Sequence, residues 1–259
     1  MLRKIMFCLI ILVVTVSSTL AAPAPNRNWE REIKSDVKGF DGKVGIYAKN
    51  LVTGRAIDYN ENAVFPTAST SKLVVALATY KYLYPQAPTE KRYLYDTDIQ
   101  YMMTVSDNPS FYELLDEIAA NDPAALSKVT RDLGLRKTQI HSQEAKKKYN
   151  YQSVTTPYEM AKVFGAINTG KYLGKEKSQI MKDQLANTIF RDEIPRHMQV
   201  KVMHKVGQLD NILCDTGIVD DGKDQILISF YTITDRPAEY ASNFIADTSA
   251  KLYNALRRK

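Results

Sequence analysis

Phe65-Pro66-Thr67-Ala68-Ser69-Thr70-Ser71-Lys72-Leu73-Val74-Val75-Ala76-Leu77-Ala78 is the stretch on which the reading of this chain turns. After Lys72 it is apolar without a break, so a helix built from it is hydrophobic on every side and belongs in an interior. Ser69 and Lys72 stand three residues apart, which places hydroxyl and amine on one helix face. At the start of the helix, Ser69 lies beside the positive end of the macrodipole, which favours a developing oxyanion. Desolvation against the apolar helix lowers a lysine pKa, so a neutral Lys72 can take the serine proton. Taken alone, the pair reads more readily as a helix cap and a solvated lysine.

On the N-terminal side, Trp29, Ile33 and Val37 recur at spacings of four and Gly39 ends a helix. Residues 43–49 alternate as a strand, 50–54 turn, and 55–59 return as a partner strand. On the C-terminal side the chain is helical for a long way. Helices are expected over 109–120 and 124–133. A further one runs from the capping box Thr156-Pro157-Tyr158-Glu159 to Ile167. Strands return at 200–205, 212–219 and 225–233, with Asp220-Asp221-Gly222 as the turn between the last two. Tyr240, Phe244, Thr248, Leu252 and Leu256 then mark a closing helix. The fold class expected is α/β of the α+β kind: an antiparallel five-stranded sheet covered by the terminal helices, with an all-helical lobe inserted. The sheet lobe takes about residues 27–66 and 188–259, and the helical lobe about 67–187.

The 259 residues, 44% hydrophobic and 25% charged, suit a globular protein and argue against disorder or a fibre. Residues 1–21 read as a secretory signal: Arg3 and Lys4, an apolar run from Ile5 to Val16, then Thr19-Leu20-Ala21 for cleavage. The run is too short to span a bilayer comfortably, so no stable membrane span is expected. The expected location is therefore extracytoplasmic, with residues 22–259 as the mature protein. Removing the signal leaves Cys214 as the sole cysteine, so no internal disulfide forms. His141, His197 and His204 make no close ligand pair, and neither a metal nor a cofactor is expected. The net charge of +6 is spread among mixed signs. In an exported protein it fits an anionic envelope better than nucleic acid.

Two more short motifs complete the pattern. Ser106-Asp107-Asn108 precedes Pro109, and alone it reads as a turn with Asn108 as N-cap. Lys205-Val206-Gly207 closes a strand and alone means nothing. In this order with Ser69-x-x-Lys72, however, the three resemble the signature of class A β-lactamases and penicillin-binding proteins. The resemblance covers nearly all of the mature chain and includes Phe65-Pro66, Met103-Thr104-Val105, Thr155-Thr156-Pro157 and His204. It implies a serine hydrolase, acting as a monomer on a small β-lactam or a cell-wall peptide. By that resemblance Ser69 attacks the carbonyl, Lys72 accepts its proton and Ser106 relays a proton to the leaving nitrogen. Asn108 holds the substrate amide and Lys205 its carboxylate, while Asp107 braces the turn. The backbone N–H groups of Ser69 and Gln208, beside Gly207, form the oxyanion hole.

Three departures stand out. Val206 replaces a hydroxyl residue, a loss of about 1.5–3 kcal/mol if one charge-assisted bond goes. No arginine lies between Asp210 and Thr216. Glu144 aligns with the glutamate that activates water in class A enzymes, yet Lys146-Lys147-Lys148 follow it and the loop is short. The sequence leaves three activities open: a weak serine β-lactamase, a D-alanyl-D-alanine peptidase or related acyl-transferase, and a non-catalytic binding module.

Overall fold

The computed structural model describes residues 27–258. The signal expected over 1–21 lies outside them. The chain opens with α1 (Arg27–Gly39), then β1 (Lys43–Asn50) and β2 (Ala56–Tyr59). A short strand, β3 (Phe65–Pro66), leads into the helical part. This comprises α2 (Ser71–Ala78), α3 (Thr89–Thr104), α4 (Asn108–Asn121), α5 (Ala125–Asp132) and α6 (Gln143–Tyr149). After a second short strand, β4 (Val154–Thr155), come α7 (Pro157–Thr169) and α8 (Lys175–Ala186). The chain ends with β5 (Lys201–Leu209), β6 (Ile212–Asp220), β7 (Gln225–Ile233) and α9 (Ala238–Leu256).

The five long strands form one antiparallel sheet in the order β2-β1-β7-β6-β5, so both chain ends contribute to it as expected. β3 and β4 pair separately, Phe65 opposite Thr155 and Pro66 opposite Val154. The sheet separates two cores. One face meets the helices through Met203, Cys214, Ile218, Leu227 and Tyr231, which pack with the α2 run Leu73–Ala78. The other face, carrying Val202, Val206, Ile228 and Phe230, is covered by Ile33 and Val37 of α1 and Ile245 and Leu252 of α9. Covering both faces makes β6 and β7 almost wholly buried, which suits their mainly apolar sequences and takes Asp215, Thr216, Ser229 and Thr232 into the interior with them. Among the described residues no helix is long and apolar enough to cross a membrane.

Two local readings change. β5 runs on through Val206, Gly207 and Gln208 to Leu209, well past Lys205, because its ladder with β6 continues to Leu209 opposite Ile212. Thr156 does cap α7, accepting from the Glu159 N–H at 3.1 Å. Glu159 does not reach back to close a capping box. Its carboxylate accepts instead from the backbone N–H groups of Arg136, Lys137 and Thr138 and from the Thr138 hydroxyl.

Candidate active site

The nucleophile segment changes helical type twice. A 3-10 turn over Ala68–Thr70 runs into α2, and a π turn over Thr79–Leu83 follows. Ala68 enters this turn with φ +43°, a left-handed conformation that costs an alanine energy. The segment is fastened to compensate. The Thr70 hydroxyl lies 2.6 Å from the Thr67 carbonyl and 2.8 Å from the Tyr231 hydroxyl on β7, and Ser71 Oγ donates to the Ala68 carbonyl at 2.8 Å. Ser69 is therefore not a cap. Its Oγ accepts from Lys72 Nζ at 3.0 Å, as the spacing of three predicted.

Lys72 is only 2% exposed, yet it is fully coordinated. Besides Ser69, Nζ donates to the Ser106 carbonyl at 2.9 Å, to Ser106 Oγ at 3.3 Å and to Asn108 Oδ1 at 2.7 Å. Desolvation pulls its pKa down to about 8, and the Asp107 carboxylate opposes that pull. At neutral pH roughly a tenth of the amine is then unprotonated, enough for it to serve as a base.

The 106–108 turn is shaped by Asp107. Its carboxylate accepts from the Ser110 N–H at 2.8 Å, so Asp107, and not Asn108, is the N-cap of α4. That frees the Asn108 amide to face Lys72. Ser106 sits at φ +58°, which turns both its carbonyl and its hydroxyl toward the lysines.

From β5, Lys205 Nζ donates to Ser106 Oγ at 2.8 Å and to the Val206 carbonyl at 2.9 Å, beneath the Phe190 ring. Desolvation, then repulsion from Lys72, lowers its pKa to about 7, against the pull of Asp215. Ser106 Oγ thus accepts from both ammonium groups, which leaves its own hydrogen to donate elsewhere. Val206, the next residue, points to the opposite sheet face and joins the core under α1 and α9. Gly207 faces the nucleophile. A Cβ there would stand 2.7 Å from the Ser69 nitrogen and 3.0 Å from Cys214 Sγ. Cys214 is wholly buried, and its thiol donates toward the Thr67 and Gly207 carbonyls, both at 3.3 Å. Burial pushes its pKa well up.

Ser69, Lys72 and Asn108 open onto a cleft of about 410 Å³ that is also lined by Phe111, Gln208 and the α6 region. Glu144 is not brought into it. Glu144 is exposed on the first turn of α6, whereas Lys146 and Asn150 line the cleft. A separation of two residues turns Glu144 about 200° from Lys146, to the far side of the helix. Gapless counting misplaced it because the short loop has coiled into a helix. Among the described residues lining the cleft there is no Asp or Glu. Sequence reasoning missed Phe111, Tyr112, His141, Lys146 and Asn150 as lining residues. Only Asn150, a residue type that favours left-handed helix ends and here has φ +63°, carried a local signal.

Behind β5, His204 Nδ1 lies 2.9 Å from both Asp215 carboxylate oxygens and Nε2 lies 3.0 Å from the Phe190 carbonyl. Asp215 also accepts from the Ile194 N–H at 3.1 Å. The pair ties the segment bearing Phe190 to the strand bearing Lys205.

A serine held by a buried lysine, a second serine between two lysines, and a glycine strand against the nucleophile define a serine hydrolase of the penicillin-recognising class. The chain belongs to the beta-lactamase enzyme family, whose model matches residues 28–87 and 84–256. Its fold is shared with PBP-A, at 21% identity and a TM-score of 0.76, over 90% of this chain and 97% of that one. A β-lactamase from Chitinophaga pinensis DSM 2588 gives 19% identity and a TM-score of 0.77, over 88% and 99%. An ancestral class A β-lactamase gives 20% and 0.75, over 88% and 100%. The chain is thus a serine β-lactamase-like hydrolase.

Proposed function

We propose that this protein is an exported enzyme that β-lactams acylate at Ser69 and that releases the acyl group slowly. The observation that carries the reading is the 3.0 Å contact between Lys72 Nζ and Ser69 Oγ inside a buried, hydrogen-bonded cluster. Lys72 takes the hydroxyl proton as the Oγ–C bond forms. The lactam C–N bond then breaks, and the proton passes from Lys72 through Ser106 Oγ to the leaving nitrogen. Backbone N–H groups of Ser69 and Gln208 hold the oxyanion, at a few kcal/mol each by analogy with such donors. Asn108 and Lys205 orient the substrate amide and carboxylate.

Release requires water to attack the ester, and the described cleft lining offers no carboxylate to activate it. That absence supports a second reading: a peptidase or acyl-transferase of the cell envelope, in which the acyl group awaits a peptide or amine. Intact-mass spectrometry with benzylpenicillin over time separates the readings. An adduct on Ser69 that decays over minutes to hours, and that Ser69→Ala abolishes, supports slow β-lactam hydrolysis. An adduct that persists, with release of D-alanine from cell-wall peptides, supports the second reading. Folded protein that forms no adduct and processes no peptide overturns both and leaves a binding module.

A further inference from the structure

The cleft wall is electrostatically one-sided. Of the described residues lining it, Lys72, His141 and Lys146 are basic and none is acidic. Lys72 is fully engaged with Ser69, Ser106 and Asn108. Lys146 is not. It is exposed on the cleft-facing side of α6, where Nζ donates to the Asn150 carbonyl at 3.2 Å and to Asn150 Oδ1 at 3.1 Å. An ammonium carries three N–H donors, so one direction is left for a ligand while the other two fix the head in place. Lys147 and Lys148 do not line the cleft, so helix geometry selects one member of the basic run.

The same cleft has an aromatic wall. Phe111 and Tyr112 line it edge to face, their ring centroids 5.4 Å apart. Tyr112 is 58% exposed, so it has surface to give a ligand. An aromatic wall and a held cation in one cleft complement a group that is apolar along its body and anionic at its end.

Resting on the reading of Ser69 as the acylated residue, we infer that this cleft prefers acyl donors whose side chain carries an ionised carboxylate, and that Lys146 recognises that charge. Such a side chain belongs to carboxylated penicillins and to acidic cell-wall peptides alike. The interaction lies in a solvent-open cleft, so dissolved salt screens it.

The test compares two probes that differ by one carboxylate, carboxybenzylpenicillin and benzylpenicillin. Acylation rates of the full-length protein are read by intact mass for the parent, Lys146→Gln and Lys147→Gln. Intrinsic differences in reactivity cancel when the carboxylated-to-plain ratio is compared between proteins. The ratio should fall about tenfold in K146Q, stay unchanged in K147Q, and shrink in the parent at high salt. A ratio that K146Q leaves untouched, while both probes still acylate Ser69, overturns the inference and spares the acylation reading. If neither probe acylates, that reading fails on its own. The ratio of the two equilibrium affinities, measured by calorimetry on the same proteins, then decides the preference by the same criterion. A second arm uses cell-wall tripeptides with a free or an amidated side-chain carboxylate as competitors. Stronger competition by the free acid, lost in K146Q, supports the assignment, and equal competition counts against it for peptides.

Discussion

A methyl group at Gly207 would meet the Ser69 nitrogen at 2.7 Å, and that nitrogen is one of the two donors assigned to the oxyanion. The neighbours on its other sides are Ala68 Cβ and Cys214 Sγ, both at 3.0 Å, so there is no direction of easy relief. Gly207→Ala should therefore lower acylation about a hundredfold or more, through loss of an aligned donor. Circular dichroism should stay that of the parent. Acylation kinetics near parental values would show that the two segments can part without chemical cost. The two lysines make a second prediction at this scale. In the proposed mechanism Lys72 acts as a neutral amine, so acylation should rise with pH through about 8. In the same mechanism Lys205 acts as a cation, so binding of the substrate carboxylate should weaken as pH rises through about 7. Acylation efficiency toward a carboxylate-bearing penicillin should thus be bell-shaped with its maximum between those values, each limb reporting the coupled pair. A flat profile from about pH 6 to about pH 9 would refute the roles assigned to the two amines.

The elements that were legible in the sequence are those with a clean period or a strong cap. α2, α7, α9 and the five long strands announce themselves through apolar runs, Thr156-Pro157, alternation or spacings of four, whereas the two-residue strands β3 and β4 leave no such pattern. The helices α3 and α8 do not announce themselves either. Tyr95, Ile99, Met102 and Met103 of α3 are buried, but exposed Tyr93, Leu94 and Tyr101 blur the stripe. α8 buries only Ser178, Met181 and Leu185 and has Gly174 at its N-cap with no side-chain bond. The three motifs could be read as a set, but the α6 wall of the cleft could not, because that helix buries only Ala145 and so has no apolar stripe to reveal it. The loop before α6 has an anchor, Glu159 at the start of α7. Its buried carboxylate holds three consecutive backbone N–H groups at 136–138, just upstream of the cleft wall. Glu159→Ala strands those donors, and hydrogen bonds to a charged group contribute about 1.5–3 kcal/mol each. A loss of at least about 3 kcal/mol is expected, a fall of roughly 6–12 °C in melting temperature. A calorimetric melt within about 2 °C of the parent would show that the loop is held by something else.

Across the whole molecule, the sheet must serve two cores at once, and the ionisable groups on its outer face set a pH dependence. Glu193 is 7% exposed, and its pKa is raised to about 7, first by desolvation and then by the nearby Asp215 carboxylate. The folded state therefore keeps a proton that the unfolded chain, near its ordinary value of 4.5, gives up. Its contribution to stability falls as pH rises from about 4.5 to about 7, and the deficit persists above that. Glu193→Gln removes this deficit. The melting temperature of the variant relative to the parent should be unchanged near pH 4 and higher by an amount worth up to about 3 kcal/mol at pH 8. An equal effect at both pH values would show that proton linkage is not the cause.

The same architecture places Cys214 where the strand bearing Gly207 meets the turn bearing Thr67. Its sulfur is out of reach and its thiolate is disfavoured, so an alkylating reagent waits until that seam breathes. In protein lacking residues 1–21, where Cys214 is the one cysteine, the labelling half-life is accordingly a stopwatch for how often the proposed oxyanion pocket comes apart. A covalent occupant at Ser69, pinning both sides, should slow it.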